Sequence, residues 1–303
     1  MKAAIAVAAV PAAKTFMHYA KECSDFARLC ERVRPAREYP RLLALRVPAE
    51  MVEKLRVAAQ QAIGRHGVHG WLSSEGRVTA GAYDSLSLTY NPDLHDPQIT
   101  NVHQSTLGSS VNREDEFYWG STQKFAGLKN TYFDTYGFRR PTPAARTGFL
   151  ARFLDQCGLS LVRSRLSIVR SGSGRRQPFA AGWHRDEPVF ENLRINIPLV
   201  GSPEYRLQIE HRQAHPRPRS RSMSSHYLQP GYAYTWDTHL PHRVHEARRS
   251  TADRVHLVLG FSPWFRYDGA RDAWQPNEHY GHRHPFDILC EGGLHPALRL
   301  EGA

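Results

Sequence analysis

From Leu159 onward the chain breaks into short apolar or alternating runs separated by glycine and proline turns, and no other feature limits the fold so strongly. The runs span 166–169, 195–200, 206–209, 232–236 and 255–261, with Pro230-Gly231 marking one of the turns. Strands this short and evenly spaced indicate a sandwich or barrel rather than a parallel sheet wound with helices. The region before them reads differently. Helices are expected over 15–33 and 49–64. In the second, Met51, Leu55, Ala58, Ala59 and Ile63 recur near the helical period, Pro48 precedes it and Gly64 stands at the expected C-cap. A third helix opens at Thr142-Pro143, lines one face with Phe149, Leu150, Phe153 and Leu154, and ends at Gly158.

Between these helices, 65–115 is turn-rich, with 85–90 alternating like a half-buried strand. Residues 117–138 are dense in aromatics, Trp119 among them, and suit either core or the wall of a substrate groove. The polar, histidine-rich stretch after Trp264 is expected to wrap the outside. At 303 residues the chain can be one structural domain. Its regions would be a helical and loop-rich part over 1–158, a β core over 159–266 and an extension over 267–303.

Four scattered cysteines (Cys23, Cys30, Cys157, Cys290) give neither a disulfide framework nor a C-x-x-C zinc site, so a reducing, cytoplasmic setting is expected. Residues 1–13 imitate a signal peptide, but the apolar run is short and alanine-rich with one lysine before it. No run approaches the ~20 apolar residues of a membrane helix. The net charge of +11 raises the question of nucleic acid. Charge is spread along the chain, however, except in the loop 211–225, where Arg212, Arg217, Arg219 and Arg221 stand among prolines and serines. That loop reads as a solvated insertion, or as an electrostatic handle for an anionic partner.

Gly182-Trp183-His184-Arg185-Asp186 supplies a His-x-Asp pair, and alternation in a strand puts residues i and i+2 on one face. A second histidine, His242, follows Leu240-Pro241, which suits a turn aiming it inward better than it suits His239 or His245. Two imidazoles and one carboxylate on one face of an iron leave three positions open, the facial triad of non-haem Fe(II) oxygenases. Arg254 sits twelve residues beyond His242 in an apolar strand, where an unpaired guanidinium is costly to bury. A dicarboxylate co-substrate would resolve that cost through a bidentate pair, as would a structural partner such as Asp253. The histidines 279, 282 and 284 read as a solvated tail rather than a second metal site.

These elements also carry a resemblance. Leu166-Ser167-Ile168 leading to Gly172, then His184-Arg185-Asp186, Leu193-Arg194-Ile195-Asn196, Gly231, Trp236-Asp237, Leu240-Pro241-His242 and Arg254-Val255-His256-Leu257 follow one another in a familiar order. They resemble the aspartyl/asparaginyl β-hydroxylase family of 2-oxoglutarate dioxygenases, which includes small bacterial proline hydroxylases. The match covers about a third of the chain, over 166–265.

The resemblance implies a mainly β fold with flanking helices, its core a double-stranded β-helix (jelly-roll, cupin-like) with an N-terminal helical buttress. It implies Fe(II) on His184, Asp186 and His242, and 2-oxoglutarate on Arg254 with further contacts from Ser167, Arg194 and Asn196. O2 is the other co-substrate, and succinate and CO2 the co-products. The family often has histidine at the position of Asn196. Because Asp186 is retained, the position a halide would need is filled, which favours hydroxylation. The expected substrate is an amino acid or amino-acid-derived unit, free, peptidyl or carrier-bound, with Arg163, Arg165, Arg206 and Trp119 as candidate contacts. The alternatives are the same iron chemistry on a nucleic acid or ribosomal protein, and a jelly-roll binding protein without activity.

Overall fold

Antiparallel pairing runs through every sheet of the computed structural model, which describes residues 26–72, 78–92, 134–171, 183–211, 222–292 and 294–300. In chain order the elements are α1 (Phe26–Arg32), β1 (Leu42–Arg46), α2 (Ala49–His66), β2 (His69–Leu72), β3 (Val78–Ser87), β4 (Thr89–Tyr90), α3 (Asp134–Gly137) and β5 (Arg140–Pro141). A 3-10 turn (Ala144–Arg146), α4 (Gly148–Asp155), β6 (Ser160–Val169), β7 (Leu193–Val200), β8 (Tyr205–His211) and β9 (Ser222–His226) follow. The chain continues through β10 (Tyr232–Trp236), β11 (His242–Glu246), β12 (Arg254–Ser262), β13 (Phe265–Asp268), β14 (Ala273–Pro276), α5 (Pro285–Cys290) and β15 (Arg299–Leu300).

Strand order identifies the architecture. One sheet runs β15-β1-β10-β7-β12-β6-β3-β2 and a second runs β11-β8-β9. His184 bridges to His242 and so adds its segment to the free side of β11. Along the chain, β6 is in the large sheet, the His184 segment in the small one, β7 in the large, β8 and β9 in the small, β10 in the large, β11 in the small and β12 in the large. That winding is the expected double-stranded β-helix, with β6-β12-β7-β10 facing His184-β11-β8-β9. The region before it, expected as helices and loops, also contributes strands, since β1 pairs with β10 and β3 with β6.

Period-two alternation sorts the large sheet into two unlike faces. Leu193, Ile195, Ile197 and Leu199 of β7 and Leu257, Leu259 and Phe261 of β12 share one cluster with Val52, Leu55, Ala58, Ala59 and Ala62 of α2 and Leu150, Phe153 and Leu154 of α4. The residues of opposite phase, Arg194 and Asn196 on β7, Arg254 and His256 on β12, and Arg163, Arg165 and Ser167 on β6, are buried as well. The main core therefore lies between the large sheet and the helices. The space between the sheets is polar, apart from a small cluster of Leu207, Ile209, Leu228, Tyr234 and Trp236. Leu55 is fully buried in the main core. Truncating it in Leu55→Ala should remove about 2–5 kcal/mol of stability in a denaturant titration.

Several expectations need correction. Helix α2 extends past Gly64 to His66, because the cap is Gly67, whose left-handed φ of 73° lets its N–H bond Ile63 O at 2.9 Å. The helix expected over 142–158 is two pieces. Gly148 has a φ of 58°, so the chain breaks at Thr147 between the 3-10 turn and α4. The strand expected at 85–90 starts at Val78 and is interrupted at Leu88. Part of the loop 211–225 is strand, since Ser222–His226 pairs with β8. The tail does not merely wrap the outside: Phe265, Trp274, Ile288, Leu289, Leu294 and Leu298 join the main core. Residues 1–25, Trp119 with 117–133, and Arg212–Arg221 lie outside the described residues. Among the described residues no helix is long and apolar enough to cross a membrane.

Candidate metal centre

The segment carrying His184 and Asp186 is extended and tied to β11 and the turn before it by backbone hydrogen bonds. His184 N–H donates to His242 O at 3.0 Å, and His242 N–H returns the bond to His184 O at 2.9 Å. Two residues on, Asp186 N–H donates to Thr238 O at 2.9 Å. The turn supplying Thr238 is closed by Asp237, whose carboxylate accepts from His239 N–H at 3.0 Å and whose carbonyl accepts from Leu240 N–H at 3.0 Å. Thus the turn chemistry of 237–241 fixes both the entry of β11 and the carboxylate segment beside it.

Side chains converge from this frame. One donor atom each from His184, Asp186 and His242 lies within 4.8 Å of the others, the one such group of His, Cys, Asp or Glu among the described residues. The two imidazoles are 4.4 Å apart between ring centres, and His242 Nε2 is 3.4 Å from Asp186 Oδ2. His242 Nδ1 lies 2.9 Å from Leu240 O, which makes Nδ1 the protonated nitrogen and leaves the Nε2 lone pair facing the cluster. Burial by itself would raise the Asp186 carboxyl, but the Arg194 guanidinium holds it well below the usual carboxylate range. It is therefore an anion at neutral pH. Two neutral nitrogen donors and one carboxylate are what an octahedral ferrous ion with open positions takes.

Arg254 begins β12 and lines a pocket with Ser202, Tyr205, Leu207, Tyr227, Val244 and His256. Val244 follows His242 by one same-face step of β11, ~6.6 Å along the strand, so this pocket lies directly beyond the histidine. Arg254 is 6 % exposed, and burial lowers its pKa to about 10, so the guanidinium stays charged. Its Nη2 donates to His256 Nδ1 at 2.9 Å. Burial, with the adjoining Arg254 charge, pushes His256 well below the usual histidine range, so this ring is a neutral acceptor. Among the described residues no carboxylate pairs with Arg254. Asp253, the alternative partner, turns instead to the backbone and hydroxyl of Ser171 at 2.7 and 2.8 Å and to Arg170 at 3.6 Å.

The remaining candidates divide. Ser167 Oγ bonds Tyr83 OH at 2.8 Å, and Ser167 stands opposite His256 in register. Asn196 stands opposite Val258 and Tyr234, and its buried Nδ2 has no partner among the described residues. Arg165 stands opposite Val258 and Ser87 on the same inner face. Arg206 is half-buried at the Arg254 pocket, on β8 opposite His245. Arg163 and Arg194 do not reach open space: Arg163 is ion-paired with Glu187, and Arg194 contacts both Asp186 and Glu187. His279, His282 and His284 form no metal group among the described residues, and His284 Nδ1 caps α5 by accepting from Phe286 N–H at 3.2 Å.

Sequence reasoning missed Glu187, Tyr83 and His256. Glu187 was visible as a second acid directly after Asp186. His256 was visible two positions after Arg254, on the same strand face. Nothing in the sequence near Tyr83 signalled it, because β3 is joined to β6 only by the fold.

No family model matches the sequence, and no curated protein matches it. Among solved structures the chain is similar to the non-heme alpha-ketoglutarate-dependent epimerase SnoN from nogalamycin biosynthesis, at 14 % identity over 79 % of this chain and 83 % of that one, with a TM-score of 0.39. It is also similar to the carbocyclase SnoK from nogalamycin biosynthesis, at 11 % identity over 78 % and 82 % of the two chains with a TM-score of 0.37. A prolyl-4-hydroxylase of Pseudomonas putida matches at 11 % identity over 78 % and 98 %, with a TM-score of 0.36. Likenesses this remote carry no argument about activity. The fold stands on its own strand order, and the site on its own geometry.

Proposed function

We propose that the protein is an Fe(II)- and 2-oxoglutarate-dependent oxygenase that hydroxylates an unactivated C–H bond of an amino acid or amino-acid-derived unit, free, peptidyl or carrier-bound. The observation that carries this reading is the His184–Asp186–His242 cluster sharing one barrel with a buried Arg254 that meets no carboxylate among the described residues. The residues fit the groups they would hold. His184 and His242 present nitrogen donors and Asp186 an ionised oxygen, while Arg254 offers a charged fork to a distal carboxylate one step deeper. Ser167 and Asn196, polar and on the same inner face, are proposed as further co-substrate contacts. When bound, ferrous iron with 2-oxoglutarate supplies a two-electron oxidation by O2, with succinate and CO2 as co-products.

The chain's own part is placement and exclusion of water. Leu240 O fixes the His242 tautomer, and the paired backbone bonds between residues 184 and 242 fix the separation of the two imidazoles. His256 orients Arg254 without competing for its charge. Asp186 fills the position a halide would require, which favours hydroxyl transfer. The amino-acid class of substrate rests on the sequence resemblance, with Arg165, Arg206 and Trp119 as the proposed contacts.

An anaerobic titration of Fe(II) in the presence of 2-oxoglutarate tests the assignment. The wild type should develop the weak visible charge-transfer band of the chelate, and His184→Ala/Asp186→Ala should not. An absent band in the wild type, or an equal band in the double variant, would sink the iron reading. Succinate release across a panel of free and peptidyl amino acids then reads the substrate class. Stimulation by none of them would overturn that part.

A further inference from the structure

The sequence resemblance makes Arg194 a co-substrate contact, and its surroundings give it another task. One terminal nitrogen, Nη1, contacts Asp186 Oδ2, and the other, Nη2, donates to Glu187 Oε2 at 2.8 Å. The side chain is 4 % exposed. Glu187 is itself buried and held from every side. Its Oε1 accepts from Thr135 Oγ1 at 2.9 Å and pairs with Arg163, and its Oε2 takes a further bond from Asn192 Nδ2 at 3.3 Å. Its backbone carbonyl accepts from Thr238 Oγ1 at 2.7 Å, and Thr238 is the residue whose own carbonyl receives Asp186 N–H.

Two features show that this arrangement is specified. Arg163 has a φ of 41°, the left-handed region that a non-glycine side chain rarely adopts, at the point where β6 and β12 shift register. In addition, two guanidinium groups meet two carboxylates, so the cluster is neutral overall and each buried charge is paired.

We infer that Arg194, anchored by Glu187, is a positioning residue: it holds the Asp186 carboxylate at Oδ2, the oxygen 3.4 Å from His242 Nε2, and so fixes how Asp186 faces the two imidazoles, and it does not bind the co-substrate. This deepens the iron reading of the same site and rests on it. Both terminal nitrogens of Arg194 already meet carboxylates, so its charge is offset within the protein, although its Nε has no partner among the described residues. Among the described residues Arg254 meets no carboxylate, which leaves its charge available to one.

The two roles separate when metal binding is measured without 2-oxoglutarate. The probe is Co(II), whose d–d bands report coordination number, titrated into wild type, Arg194→Met, Arg194→Lys, Glu187→Gln and Thr135→Val. Loss of an outer hydrogen-bond partner to a metal ligand weakens metal affinity by about 10–100-fold. That loss is expected for Arg194→Met, with altered d–d bands. Arg194→Lys, which keeps the charge and a donor for Asp186 but cannot bridge both acids, should recover part of it. Glu187→Gln and Thr135→Val should fall between, and they carry the test if Arg194→Met does not fold.

The increase in melting temperature on adding Co(II) should shrink in the same order, a readout that a purely structural role would leave unchanged. Wild-type Co(II) affinity and bands in the Arg194 variants, or in both Glu187→Gln and Thr135→Val, would overturn the inference. So would a loss confined to 2-oxoglutarate affinity at saturating metal. Failure of the underlying reading looks different: the wild type would bind no Co(II), or His184→Ala would bind it as well as the wild type.

Discussion

Arg254→Met is expected to abolish 2-oxoglutarate binding at working concentrations while leaving the metal- and ligand-free protein at least as stable as the wild type. The two effects have one origin. The guanidinium is buried and charged, and its described polar partner is the neutral ring of His256 rather than a carboxylate. An incompletely paired buried charge costs several kcal/mol of folding free energy, and a methionine of similar length removes that cost. Against this stands the loss of one donor to His256 Nδ1, about 1–3 kcal/mol. With the dicarboxylate present, the same guanidinium makes charge-assisted, bidentate bonds in a dry pocket. Truncating one partner of such a pair costs about 2–5 kcal/mol, or roughly 30- to 4,000-fold in affinity. Calorimetric titration of 2-oxoglutarate into the metal-loaded protein, together with melts of the free protein, reads both quantities. A variant that binds normally but melts well below the wild type would make Arg254 a structural residue.

Gly260→Ala should be the most disruptive single methyl in the barrel. A Cβ at residue 260 would sit 2.3 Å from Val162 O and 2.6 Å from Asn192 Oδ1. Val162 O is backbone in the paired strand, so relief requires β6 and β12 to separate. Gly260 N–H also donates to Ser164 Oγ at 3.1 Å, and Ser164 Oγ bonds back to Val162 O at 3.1 Å, so the displacement would break a closed local network. Overpacking of this kind costs about 1–3 kcal/mol, and the lost bonds add to it. The consequence reaches the site, because β6 carries Arg163, Arg165 and Ser167 on its inner face. Reduced melting temperature with weakened Co(II) binding is the expected result. A variant as stable as the wild type would show that the strands tolerate the spacing.

What could be read in advance follows the physics of each segment. The strands at 166–169, 195–200, 232–236 and 255–261 were legible because they are apolar enough to be covered on both faces. Strands β9 and β11 were not, because Ser-Met-Ser-Ser-His and His-Arg-Val-His-Glu lack any apolar period. They are strands through pairing with β8, a long-range event that local propensity does not record. Leu42-Leu43-Ala44-Leu45-Arg46 was too brief to separate from a loop, and Gly148 broke a helix whose apolar face looked continuous. In the site, His184, Asp186, His242 and Arg254 were legible from residue type and spacing. Glu187 was visible beside Asp186, but its anchoring contacts were not, since its partners Thr135, Arg163 and Arg194 come from three separate elements.

The unlike faces of the large sheet bear on how this protein could change over time. Its folding free energy is concentrated where β7 and β12 meet α2 and α4, on the side away from the metal cluster. Side chains projecting between the sheets contribute little to that apolar layer, and some, such as Arg254, work against it. Under the proposed function, substrate range can thus drift by replacement of inward residues without driving the chain below its folding threshold, whereas the outward leucines and isoleucines are fixed by the need to fold at all. A mutational scan of β7 and β12 scored separately for abundance and for activity should alternate residue by residue along each strand.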